Sequence, residues 1–128
     1  MTELIDTIYV WQHFQKLVLT MQQALSAELS PTPLQARPQY AAIDTYFQQQ
    51  IMATADDPLP TAIAGKMRSY ITEIHRLLKL IQRDLIFWQS ARQPNTKAQR
   101  QSEIFTKLDM ILQFSNTIVG ALSISGSL

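Results

Sequence analysis

The chain contains no cysteine. Disulfides, thiolate nucleophiles and cysteine-ligated zinc sites are therefore excluded. Histidine is almost as scarce, with His13 and His75 the only two. Neither has a second histidine, or a carboxylate at Glu-x-x-His spacing, on its own helical face. Glu73 and His75 stand two residues apart and so point to different faces of a helix. Both histidines read as surface or boundary residues, and no metal or other cofactor is expected. Glycine is limited to three residues. There is no phosphate-binding loop, no dinucleotide fingerprint and no Gly-x-Ser-x-Gly elbow, and Ala64-Gly65-Lys66 lacks the glycine-rich loop that would make it a phosphate cradle. Strand-like alternation is missing over any useful length. No apolar run approaches the ~20 residues that a membrane span requires. The start, Met1-Thr2-Glu3-Leu4-Ile5-Asp6, is acidic and does not read as a secretory signal. The expectation is a cytoplasmic protein without enzymatic activity.

What is present is a set of long amphipathic segments. A length of 128 residues fits one domain with a core large enough to need no staples. Charged residues make up only 16%, and glutamines scattered through the periodic segments supply much of the remaining polar surface. The six prolines punctuate a few long helices. The first helix is expected from Thr2 to about Leu29. Its apolar stripe is Leu4, Ile8, Trp11, Phe14, Val18, Met21 and Leu25, widened by Ile5, Val10 and Leu17. Thr2 is a candidate N-cap, and Ser30-Pro31-Thr32-Pro33 stops the helix. A shorter second helix is expected over Pro38–Ala53, with Tyr40, Ile43, Phe47 and Gln50 or Ile51 facing inward.

The third helix runs from about Pro58 to about Arg92, with Asp57 as N-cap and Pro58 at the first helical position. Its stripe is Ile63, Met67, Tyr70, Ile74, Leu77, Ile81, Leu85 and Trp88, broadened by Leu78. A fourth helix is expected from Asn95 or Thr96 to Leu122, with Ile104, Leu108, Ile111, Ser115, Ile118 and Leu122 inward and Phe105, Leu112 and Val119 beside them. Four such helices with short connections most simply form an all-α, antiparallel four-helix bundle. The bundle domain covers residues 1–122, and 123–128 read as a flexible C-terminal tail.

Few residues offer chemistry. Asp56-Asp57 is a carboxylate pair, but its place before Pro58 and Pro60 is explained by capping. Asp84 lies near the stripe of the third helix. If buried, it would be a candidate site; the simpler reading is a boundary acid paired with a neighbouring base. Charge is uneven along the chain. Residues 1–64 hold two bases and six acids, a net −4, while residues 65–128 hold nine bases and four acids, a net +5. On a helical wheel Arg68, Arg76, Lys79 and Arg83 fall within a sector of about 80°, roughly opposite Tyr70, Ile74, Leu77 and Ile81. This ridge is either a solvated face or a docking surface for an acidic protein segment. Arg92 and Gln93, at the corner between the third and fourth helices, are the second candidate surface. Nucleic acid is a less favoured partner, because the overall charge is +1 and no aromatic interleaves the ridge. A homodimer is an alternative, made by an apolar end of the third helix around Phe87 and Trp88.

From Tyr46 to about Val119 the chain carries Tyr46-Phe47-Gln48-Gln49-Gln50-Ile51, Ser69-Tyr70-Ile71-Thr72-Glu73-Ile74-His75-Arg76-Leu77-Leu78 and Asp84-Leu85-Ile86-Phe87-Trp88-Gln89-Ser90-Ala91-Arg92-Gln93, followed by the periodic fourth helix. These segments, roughly the last two thirds, resemble the cyanobacterial heterocyst frequency control protein family, PatD. The resemblance implies a small cytoplasmic helical regulator of cell growth and division and of how often cells become heterocysts. It implies a protein partner, with the tubulin-like division protein FtsZ the one to test. It brings no catalytic residues.

Overall fold

The computed structural model describes residues 2–26, 32–54 and 61–126, with side chains described over 5–26, 32–53 and 64–124. The elements are α1 (Thr2–Leu25), α2 (Pro33–Tyr46), a π-helical turn (Phe47–Ile51), a 3-10 turn (Met52–Thr54), α3 (Thr61–Ser90) and α4 (Pro94–Gly126). No strand occurs among the described residues.

Side-chain pairs fix the directions. Gln15 pairs with Asn116, Gln22 with Asp109, and Gln101 Nε2 donates to Leu25 O. As α1 advances α4 recedes, so the two are antiparallel. Tyr70 meets Phe114, Asp84 meets Lys107 and Phe87 meets Arg100, which makes α3 antiparallel to α4. Arg37 bonds Gln89, Tyr40 bonds Leu78 and Phe47 touches His75, so α2 also runs against α3. Each helix neighbours two others, in the cyclic order α1, α2, α3, α4. The result is an antiparallel four-helix bundle, as the spacing of apolar residues predicts.

The inward stripes supply the core. Trp11, Phe14, Val18, Met21 and Leu25 come from α1, Tyr40 and Ile43 from α2, and Phe47 and Ile51 from the π turn. Met67, Ile74, Leu77, Leu78, Ile81, Leu85 and Trp88 come from α3, and Ile104, Leu108, Ile111, Ser115, Ile118 and Leu122 from α4. Burying each large apolar side chain contributes about 1.5–3 kcal/mol. The buried Ser115 hydroxyl donates back to Leu112 O at 3.0 Å, so a polar residue sits on an apolar face without leaving its donor unpaired. Trp11 Nε1, by contrast, is buried with no hydrogen-bond partner among the described residues.

Several boundaries differ from the sequence reading. Helix α1 ends at Leu25, not Leu29, and residues 27–31 lie outside the described residues. Helix α2 begins at Pro33, five residues before Pro38. The cause is a capping box. Thr32 Oγ1 accepts from Gln35 N, and Thr32 N donates to Gln35 Oε1, both at 3.2 Å. Pro33 fits the first helical position. Pro38 therefore lies inside the helix, where it removes only the hydrogen bond to the carbonyl of exposed Leu34. After Tyr46 the helix widens into the π turn, with Met52 N–H donating to Phe47 O. Helix α4 continues through residues 123–126, where the sequence reading placed the tail.

Three positions on or beside the expected stripes lie farther out. Ile5 is 51% exposed, Phe105 lies near the surface, and Tyr70 is only half-buried while its neighbour Ile71 is buried. The expected caps Thr2 and Asp57 fall outside the described side chains, as do Leu4, Ile63 and Asp56.

Candidate protein-docking surface

Helix α3 divides its circumference cleanly. Its apolar stripe is held by α2 and α4, and the opposite side is left to solvent. Arg68, Arg76, Lys79 and Arg83 are all exposed there, as the wheel predicts. Arg76 is held by Glu73, one turn back, at 2.9 Å. Arg68, Lys79 and Arg83 make no ion pair with a described residue. Arg92 and Gln93 are exposed at the α3–α4 corner, where Gln93 O accepts Lys97 N at 3.0 Å and opens α4. They stand beyond the end of α3, separate from the ridge.

The seam between α3 and α4 adjoins the ridge. Asp84 is buried, its side chain only 4% exposed, and Lys107 Nζ reaches it at 2.5 Å. The sequence reading left Asp84 as a buried acid or, more simply, a boundary acid paired with a neighbouring base; it is buried, and the base it pairs with comes from α4. Arg100 pairs with Glu103 at 3.1 Å and lies over the Phe87 ring at 5.0 Å. Along this seam runs a groove of about 340 Å³ lined by Arg76, Leu77, Leu80, Glu103, Lys107 and Met110 among others. Leu80 and Met110 escaped the sequence reading. The available signal was that both are apolar residues lying off the core stripes of their helices.

Trp88 is in the core and Phe87 alone of that pair reaches the surface, under Arg100. Of the apolar end expected for self-association, Phe87 is exposed beside Ile86 and Trp88 is buried. His13 is exposed and packs on the Tyr46 ring at 4.6 Å; His75 is half-buried at the edge of Phe47. No group of three or more His, Cys, Asp or Glu that could hold a metal occurs among the described residues. Nor is any helix of the described residues long and apolar enough to cross a membrane.

The fold and this surface define a class: an all-α four-helix bundle with a one-sided basic ridge. No family model, curated protein or solved structure matches the chain.

Proposed function

We propose that this chain is a non-enzymatic regulatory module that works by binding another protein, and that it docks through the basic ridge of α3. One observation carries the reading. Arg68, Lys79 and Arg83 stand exposed on a rigid helix without a counter-charge from the described residues. Cations left unpaired cost nothing in water and raise the encounter rate with an acidic surface. The resemblance of residues 46–119 to the PatD family favours a cytoplasmic cyanobacterial regulator of growth and division. FtsZ is then the partner to test.

The test is titration of the folded protein with purified FtsZ over a range of salt concentrations. Saturable binding that weakens as salt rises is expected, because ridge contacts are screened. Absence of binding at every salt removes FtsZ as the partner.

A further inference from the structure

The ridge is not an isolated strip of charge. Around α3, taking one residue per ~100°, the order outward from the α4 contact is Leu80, Phe87, Arg76, Arg83, Lys79 and Arg68. The cations thus begin where the exposed edge of the α3–α4 groove ends. Leu80 from α3 and Met110 from α4, the latter 36% exposed, give that groove an apolar edge on both helices. The α4 rim beyond Met110 differs in kind. It carries Ser102, Thr106 and Gln113, which are exposed and neutral. The acids along the seam are already engaged, Asp84 by Lys107, Glu103 by Arg100 and Glu73 by Arg76. The groove therefore has an apolar floor, a cationic rim on α3 and a neutral rim on α4.

Resting on the protein-binding reading above, we infer that the α3–α4 groove receives an acidic amphipathic helix of the partner. Its apolar stripe lies on Leu80 and Met110, and its carboxylates, on one flank only, pair with Lys79 and Arg83 and compete with Glu73 for Arg76. Spacing supports a helix. Arg76 to Arg83 covers seven residues, roughly 10 Å or two turns, so acids at i, i+3 and i+7 of one helix match the row Arg76, Lys79 and Arg83. The neutral α4 rim gives the asymmetry: a segment with acids on both flanks leaves half of them unpaired. Nucleic acid fits less well, since its two flanks are both anionic and Leu80 and Met110 offer a phosphate nothing.

The probe is a labelled synthetic peptide of Leu, Ala, Gln and Glu, with leucines along one helical stripe and glutamates along one flank. Fluorescence anisotropy against the full folded chain is the readout, with circular dichroism confirming that each variant folds. The peptide is expected to bind saturably. Met110→Ser and the pair Lys79→Gln/Arg83→Gln should each weaken binding about tenfold, the scale of losing one central contact. Lys16→Gln, which removes an exposed cation from α1, should change nothing. A scrambled peptide of identical composition should bind about tenfold more weakly.

No binding by the peptide overturns the inference, as does equal binding of the scrambled form or indifference to Met110→Ser. If a duplex oligonucleotide binds instead and ignores Met110→Ser, the ridge belongs to nucleic acid. FtsZ binding that persists in both variants leaves the protein-binding reading intact and removes this groove from it. Peptide binding without FtsZ binding does the reverse, keeping the groove and removing that partner.

Discussion

Two contacts between helices in this bundle are built from different materials. Where α1 meets α2 and the π turn, the joint is aromatic. Phe14 of α1, edge-on to Trp11 of its own helix at 5.7 Å, meets Phe47 of the π turn at 5.8 Å, and Tyr46 Oη donates to Val10 O. Where α3 meets α4, the margin is ionic: Asp84–Lys107 crosses the joint, flanked by Arg76–Glu73 within α3 and Arg100–Glu103 within α4. The first joint closes the interior and leaves little to recognise. The second turns charge and apolar edge outward together. On the proposed reading, sealing falls to the first seam and recognition to the second, and each should be open to disturbance without the other.

The largest effect is expected at the aromatic joint. Phe47→Ala removes a fully buried ring at the π turn and should cost about 4 kcal/mol in urea unfolding. A loss below 1 kcal/mol, by the same scale, would mean that the π turn is not part of the cooperative core. At the ionic joint, Lys107→Ala leaves the buried Asp84 carboxylate without its partner and should cost about 3 kcal/mol. Replacing both members by leucine should recover most of that, because the penalty belongs to the lone charge and not to the missing pair. A double variant no better than the single would contradict this.

A smaller effect joins the two regions. Tyr40 Oη donates to Leu78 O at 2.8 Å, and Tyr40→Phe should cost about 1 kcal/mol. Burial, and secondarily the charge of Asp44, hold the Tyr40 hydroxyl well above the usual tyrosine range; burial raises Tyr46 too. The unfolded chain therefore loses these protons first as pH rises past about 10. The stability from keeping them neutral is fully present below that pH and is lost as pH climbs toward the folded value. Tyr40→Phe should flatten, without abolishing, the alkaline loss of melting temperature. An unchanged slope would assign that loss to other groups.

The uneven legibility of the sequence follows the same division. Helix α4 is long and its stripe from Ile104 to Leu122 is buried throughout, because a 3.6-residue period over five turns admits one inward face. Helix α2 is harder. Pro33 and Pro38 look like breakers, and only the pairing of Thr32 with Gln35 shows that the helix starts before both. The π turn leaves no mark in the periodicity, since Phe47 and Ile51 keep a helical spacing of four. The exposed cations of α3 were readable from the wheel, because exposure there is simply the complement of the stripe. The Asp84–Lys107 pair was not, because its members are 23 residues apart and meet only through packing. Leu80 and Met110 come together for the same reason.

The smallest effect on stability should accompany the largest effect on binding. Arg76→Glu, Lys79→Glu and Arg83→Glu together alter exposed positions, where single changes usually stay within about 0.5 kcal/mol. The most direct test measures thermal melting and FtsZ binding on the same triple variant. An almost unchanged melt with binding abolished is the predicted result; binding at wild-type strength by the folded variant would contradict the assignment of the ridge.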